Sequence, residues 1–369
     1  MDEGRETKDG AAPLRFHELT VASVDPLTED SVAVTLDVPT DLRGAFGWTP
    51  GQHVTVRAVL DGEDIRRSYS ICTDAGAGDL RIGVKRIPGG AFSTYATTRL
   101  AAGDVLEVMP PVGEFTHAPG QAGHFVAVAA GSGITPVLSM VATSLAASDD
   151  VEWTLLYGNR TSRSIMFLEE LEAVKDRFTS RFQMVHILSR EPHEVPLFQG
   201  RIDADKLGSL LGTLIDPASV HGWYLCGPLG MVEDATAVLG AAGVSDDHIH
   251  HELFFDERIE SIPTVAEDAE GLATVTITLD GRSSVVRVDP DGASILDHAR
   301  TVRTEVPFAC KGGMCATCKA VVTGGEVHMD KNYALTSEER EAGYVLTCQA
   351  HPVTDEVELS YDTHGGIGR

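Results

Sequence analysis

Two hydrophobic periodicities divide the chain. From residue 14 to about 117, apolar and polar positions alternate in short runs separated by turn residues. Val32-Ala33-Val34-Thr35-Leu36-Asp37-Val38 is one run. His53-Val54-Thr55-Val56-Arg57-Ala58-Val59 is another, entered through Pro50-Gly51 and followed by the hairpin pair Asp61-Gly62. A period of two marks strands buried on one face, and several at this spacing predict an antiparallel barrel. At Phe125-Val126-Ala127-Val128-Ala129-Ala130 the pattern becomes an unbroken apolar run, which fits a parallel strand covered on both faces. A helix over 137–147, a strand over 152–157, a helix over 165–177, a strand over 183–188 and a last buried strand over 222–225 then predict an α/β layer. Residues 259–271 are acidic and low in large apolar side chains, the composition of a linker. Alternation resumes over 273–279, turns at Asp280-Gly281 and continues over 284–288, a β-hairpin. Residues 294–302 predict a short helix with Ile295, Leu296, Ala299 and Val302 on its apolar face and His298 on the solvated side.

At 369 residues the chain has room for about two to three domains. Its longest apolar stretches are too short to span a bilayer, so no membrane is expected. The first dozen residues are polar and carry both charge signs, which reads as a disordered tail and not a targeting sequence. A net charge of −26 excludes nucleic acid as a partner, because its phosphates would be repelled. It leaves open simple solubility or an acidic face that steers docking to a basic partner. Six cysteines, four of them in one group, fit a reducing cytoplasm.

That group is Cys310-Lys311-Gly312-Gly313-Met314-Cys315-Ala316-Thr317-Cys318, with Cys348 at a distance. A [2Fe–2S] centre needs four thiolates converging on two irons, and a tight loop can present three at once. Gly312 and Gly313 open backbone conformations closed to other residues. They also let amide N–H groups approach the sulfurs, which raises the reduction potential. Structural zinc prefers two separated cysteine pairs, and disulfides need an oxidising compartment for which no signal peptide speaks. The C-x4-C-x2-C run is the spacing of plant-type ferredoxins. With a strand over 319–322 and Cys348 arriving after Tyr344-Val345-Leu346-Thr347, residues 273–361 resemble the β-grasp of that family.

Within the first region lie Arg67-Ser68-Tyr69-Ser70 and, further on, Gly89-Gly90-Ala91-Phe92-Ser93-Thr94. An arginine and an aromatic on neighbouring strand positions can hold a phosphate and a flat ring. The second stretch opens a helix over 92–100, whose first N–H groups and dipole favour a pyrophosphate. In this order the two stretches resemble the flavin-binding domain of the ferredoxin–NADP reductase superfamily. The resemblance implies that Arg67 meets the FAD pyrophosphate beside Ser68, that Tyr69 lies against the isoalloxazine, and that Ser70 bonds near the reactive flavin nitrogen. It also implies that Val84, Lys85 and Arg86 line FAD with backbone groups and that Gly90, Ala91, Phe92 and Ser93 cap its phosphates. The stretch Glu107 to Phe115 matches the segment that closes this domain in relatives.

Strand, glycine turn and helix recur at Gly131-Ser132-Gly133-Ile134-Thr135-Pro136, the context a dinucleotide loop requires. Pro136 replaces the usual third glycine, which a helix start tolerates. The stretch resembles the superfamily's nicotinamide-nucleotide loop, with Gly131, Gly133, Thr135 and Pro136 as binding residues. The family's Cys-Gly-Pro, here Cys226-Gly227-Pro228, implies a cysteine beside the hydride path; a small buried residue is the plain alternative. Nucleotides without a 2′-phosphate are usually held by an acid at the end of the second strand. That end reads Tyr157-Gly158-Asn159-Arg160 with no acid, and the next strand ends in Ser189-Arg190. A serine–arginine pair there grips the 2′-phosphate in NADP-dependent relatives, so NADPH is expected over NADH. His248-Ile249-His250-His251-Glu252 lacks the second histidine of H-E-x-x-H; it is read as the end of the nucleotide domain, with Glu252 and Phe254 near the flavin edge.

The expected architecture is therefore multidomain. A tail at 1–13 precedes an antiparallel β-barrel flavin domain at 14–118. An α/β parallel-sheet nucleotide domain at 119–258, a linker at 259–271 and an α+β ferredoxin domain at 272–369 follow. The module order implies a cytoplasmic oxidoreductase that passes electrons from NADPH through FAD and [2Fe–2S] to an oxygenase. Gly90-Ala91-Phe92-Ser93-Thr94-Tyr95-Ala96, Val108-Met109-Pro110-Pro111 and Leu156-Tyr157-Gly158-Asn159-Arg160 resemble the reductase subunits of phenylacetyl-CoA ring epoxidases. Reductases of Rieske oxygenases share the order, FMN suits the glycine-rich stretch as well as FAD does, and a relay scaffold with a dead flavin site is a further alternative.

Overall fold

The computed structural model describes residues 15–254 and 271–362. The expected tail at 1–13 and, but for Gly271, the expected linker at 259–271 lie outside the described residues. The described residues form two compact units, 16–254 and 271–362, the latter grouped with Arg15.

The larger unit begins with six antiparallel strands: β1 (His17–Thr28), β2 (Ser31–Asp37), β3 (His53–Leu60), β4 (Glu63–Ser70), β5 (Leu80–Lys85) and, after helix α1 (Ala91–Thr98), β6 (Val105–Val108). They are ordered β4-β3-β6-β1-β2-β5. A bridge from Ile71 to Ile82, just beyond the end of β4, joins the two edges, so the expected barrel closes. The inward side chains of the alternating runs, among them Leu19, Val34, Val54, Val56, Leu80 and Ile82, are at most 2% exposed and form its core.

A parallel layer follows, built from β7 (Gly123–Ala130), α2 (Ile134–Ala147), β8 (Val151–Asn159), α3 (Leu168–Arg177), β9 (Phe182–Leu188), α4 (Ala204–Leu211), β10 (Gly222–Gly227), α5 (Leu229–Ala241) and β11 (Ile249–Leu253). The sheet order is β11-β10-β7-β8-β9. Two expectations need correcting. The strand at 222–227 is not the last: β11 pairs beside it in parallel. Its polar centre, His250 and His251, is tolerated because β11 is an edge strand, so no apolar run betrays it. Helix α3 begins at Leu168, since Phe167 adopts φ 57° and breaks the helical path; Ile165, Met166 and Phe167 are buried loop residues.

The smaller unit contains β12 (Ala273–Leu279), β13 (Arg282–Val288), α6 (Ile295–Val302), β14 (Lys319–Gly324), β15 (Val327–Met329), α7 (Ser337–Glu341), β16 (Tyr344–Leu346), β17 (Ala350–Pro352) and β18 (Glu356–Ser360). Its main sheet runs β13-β12-β18-β14-β16, with β12 and β18 parallel. Helix α6 buries Ile295, Leu296 and Ala299 as expected. It also buries His298 (7% exposed) while leaving Val302 50% exposed, which reverses the sequence expectation for both. The buried face spans the first turn and a half, capped by Ser294, whose Oγ accepts the Asp297 N–H (3.4 Å); the last turn projects to solvent.

Candidate functional site

The residues expected around the flavin converge at one end of the barrel. Arg67, Ser68, Tyr69 and Ser70 form the last turns of the β4 ladder opposite Val56, Thr55, Val54 and His53. The Arg67 guanidinium donates to the Arg66 carbonyl (2.7 Å). The Tyr69 ring meets Phe92 at 5.4 Å between centroids. Phe92 and Ser93 are themselves buried, so they brace the site from inside and can offer a ligand only backbone. Ser93 Oγ accepts the Ile87 N–H (3.1 Å) and donates to the Gly90 carbonyl (3.3 Å), which ties the Val84-Lys85-Arg86 stretch to the start of α1. A Cβ on Gly90 would stand 2.5 Å from Ser93 Oγ. No side chain caps the first turn of this eight-residue helix. Uncapped N–H groups beside Ala91 are the donor set that an FAD pyrophosphate fits.

Gly131-Ser132-Gly133 make one 3-10 turn between β7 and α2. Gly133 packs against β10 so closely that a Cβ would lie 2.1 Å from the Cys226 carbonyl oxygen. Thr135 donates to the Ser132 carbonyl (2.9 Å) and, like Pro136, is buried. The Thr135 methyl and the Phe167 ring abut Gly83 of the barrel, where a Cβ would meet them at 2.6 and 2.8 Å. These two side chains therefore seat the nucleotide layer on the barrel instead of facing a ligand. Gly227 and Pro228 turn β10 into α5. Across the sheet, Ser189 N–H donates to the Asn159 carbonyl (2.9 Å) and Arg190 N–H to the Arg160 carbonyl (2.8 Å), so all four expected residues share one edge. The Asn159 side chain is buried and turned to the Tyr157 hydroxyl, which anchors the end of β8.

The two halves meet at Glu252 of β11. Its Oε2 accepts the Ser70 hydroxyl (2.9 Å), and its Oε1 lies 3.6 Å from His53 Nδ1. Cys226 is Glu252's direct neighbour in the parallel ladder and is fully buried. Burial, then the Glu252 charge, push its thiol well above the ordinary range, so it stays protonated and uncharged. Sequence reasoning gave Glu252 little weight and missed His53, whose position opposite Ser70 is visible only once β3 and β4 are paired. It also missed His117. That imidazole is buried between Phe125, Trp153 and Tyr224 and bonds the Tyr224 hydroxyl (2.9 Å). Burial lowers its pKa to about 4, with a smaller push from His250. Phe254 packs on the core of the nucleotide layer.

In the smaller unit the cysteine loop wraps its own sulfurs. Cys310 Sγ accepts N–H groups from Gly312 (3.3 Å) and Met314 (3.5 Å), and Cys315 Sγ accepts that of Cys310 (3.5 Å). The positive φ falls on Lys311 (51°), Gly313 (77°) and Ala316 (51°). Gly313 thus needs glycine's freedom, Gly312 does not, and two residues with side chains take the less comfortable conformation. The neighbouring thiol and burial raise the Cys310 thiol, with Cys315 as the partner, and the Cys348 thiol, with Cys318 as the partner. Thr347 Oγ1 donates to the Cys318 carbonyl (3.0 Å) and receives the Tyr361 hydroxyl (2.8 Å), fixing the turn between β16 and β17 that carries Cys348. Four thiols close enough to perturb one another, two of them with amides aimed at them, fit a [2Fe–2S] cluster.

Family models match in the same order: an oxidoreductase FAD-binding domain over 18–117, an oxidoreductase NAD-binding domain over 127–237 and a 2Fe-2S iron–sulfur cluster binding domain over 277–353. One component of the 1,2-phenylacetyl-CoA epoxidase from Escherichia coli (strain K12) is 43% identical over 95% of this chain and 99% of its own. The chain belongs to the oxygenase-reductase branch of the ferredoxin–NADP reductase superfamily. Another relative of this reductase is the ferredoxin reductase component of 3-ketosteroid-9-alpha-monooxygenase from Rhodococcus rhodochrous, 32% identical over 93% of this chain and 96% of that one. Among solved structures, phthalate dioxygenase reductase shares the fold and module set at 25% identity and a TM-score of 0.55. It covers 94% of this reductase and 98% of its own chain. The reductase carries FAD-binding, NAD-binding and [2Fe–2S] domains, and no helix among its described residues is long and apolar enough to cross a membrane.

Proposed function

We propose that this reductase takes hydride from NADPH and delivers electrons singly to the di-iron oxygenase of a phenylacetyl-CoA epoxidase. The observation that carries the electron-transfer reading is the Ser70–Glu252 bond, which brings the barrel's flavin-side hydroxyl and the nucleotide sheet's carboxylate to one point beside Cys226. A bound flavin accepts a hydride and releases electrons one at a time, which is the form a [2Fe–2S] centre accepts. The chain's own residues position and shield. Gly133 lets the nucleotide loop close on Cys226, and the uncharged Cys226 keeps the hydride path dry and apolar. Tyr69, backed by Phe92, offers a flat surface to the flavin ring. Glu252 fixes the Ser70 hydroxyl rotor, so that a proton held at Ser70 Oγ or at Glu252 lies in one defined position.

The NADPH preference is supported by Ser189, Arg160 and Arg190 on one edge, because guanidinium forks suit a phosphate. The acceptor is supported by the likeness to the Escherichia coli epoxidase component across the whole chain. Reconstitution tests it: the purified reductase, NADPH, the epoxidase oxygenase subunits and phenylacetyl-CoA should give epoxide with tight coupling of NADPH to product. Uncoupled NADPH oxidation there, with coupled turnover of a steroid ring-hydroxylating oxygenase instead, supports the reading suggested by the Rhodococcus relative.

A further inference from the structure

Glu191 follows the Ser189-Arg190 pair beyond β9, and its carboxylate reaches back to the end of β8. Its Oε2 accepts the Ser162 N–H (2.7 Å) and lies 3.0 Å from the Ser162 hydroxyl, and its Oε1 lies 3.2 Å from the same hydroxyl. The Arg163 charge reinforces this, after the two Ser162 bonds, in holding the carboxyl below its usual range. The receiving turn is locked by reciprocal bonds: Ser164 Oγ accepts the Thr161 N–H (3.0 Å) and donates to the Thr161 carbonyl (2.7 Å). An acid thus stands at the strand end where the sequence shows none, delivered from the neighbouring connection.

A carboxylate and a phosphate monoester are both acceptor-only anions, so one set of donors can serve either but not both at once. A ribose 2′-hydroxyl is different: it can donate to a carboxylate left in place. We propose that Glu191 sets this reductase's choice between nucleotides with and without a 2′-phosphate. In the nucleotide-free protein it occupies the donors of Ser162; a 2′-phosphate binds there only by displacing it, while an unphosphorylated ribose is accepted with the carboxylate in place. The inference rests on the assignment of the Arg160–Arg190 edge to the adenosine ribose. Glu191 is then the repulsive element of the specificity, and Arg160, Arg163 and Arg190 the attractive one.

The test is calorimetric titration of the holoprotein with 2′,5′-ADP and with 5′-AMP, for the wild type and Glu191→Gln. The residue is partly exposed and joins no core, so the variant folds. The expected result is 2′,5′-ADP binding tightened about tenfold and 5′-AMP unchanged or weakened. The ratio of kcat/KM for NADPH over NADH should rise by a similar factor. Equal shifts for both ligands, or none for either, overturn the proposal. Adding Ser162→Ala to Glu191→Gln removes the hydroxyl and keeps the N–H, so it should reduce the gain for 2′,5′-ADP; an undiminished gain overturns the role of the Ser162 hydroxyl. The NADPH reading is judged separately. A wild type that favours NADH while Glu191→Gln swings toward NADPH refutes that reading and upholds the role of Glu191. A wild type that favours NADPH with a ratio unmoved by the substitution does the reverse.

Discussion

Three of the four proposed cluster sulfurs lie between Cys310 and Cys318, and the amides that reach them come from the same loop. The proposed hydride site is made otherwise. Its central bond joins Ser70 to Glu252, 182 positions apart, and His53 and Cys226 enter from two further strands. A local motif carries its chemistry in its spacing, so the cluster was legible from the cysteines alone. A site assembled across a barrel and a sheet is legible only for the parts that coincide with a motif. Arg67 to Ser70, Gly131 to Pro136 and Cys226 to Pro228 presented such motifs, on which the proposed roles rest. His53, Glu191 and His117 did not, because each gains its meaning from a neighbour distant in sequence. The same holds for the fold. The alternating strands and the apolar run at 125–130 were plain. The edge strand β11 was hidden by its two histidines, and the buried His298 by the rule that places histidine outside.

Breaking each region should separate them. The largest effect is expected from Cys318→Ser, which removes a cluster ligand. The broad iron–sulfur absorption and the reduction of cytochrome c, an acceptor served through the cluster, should fall to background, while NADPH-driven ferricyanide reduction directly at the flavin continues. Loss of both activities together would contradict the separation. In the other direction, Glu252→Gln should slow flavin reduction by about ten- to a hundredfold in stopped flow, with the cluster spectrum intact. An unaltered rate would remove Glu252 from the site.

His117 sharpens the comparison through pH. Its pKa is lowered to about 4 in the folded unit, against about 6.5 unfolded, so between these values the unfolded chain binds more protons. The stability of the larger unit should be full above about pH 6.5 and fall as pH drops toward 4, by roughly 3 kcal/mol at most, with no further loss from this group below that. His117→Phe should flatten that slope in urea melts followed by tryptophan fluorescence; an unchanged slope would assign it to other groups. The smallest effect expected is that of Gly133→Ala. The added methyl collides with the Cys226 carbonyl and should cost about 2 kcal/mol, seen as a lower Tm together with a raised KM for NADPH and an unchanged cluster spectrum.

Anaerobic titration with NADPH, followed by visible spectra, tests most directly whether the two regions form one relay. Bleaching of the flavin bands followed by loss of the iron–sulfur absorption is the predicted result. Complete flavin bleaching with the Cys310–Cys348 chromophore unchanged would contradict it, and would leave a flavin reductase whose cysteine loop takes no part in the electron path.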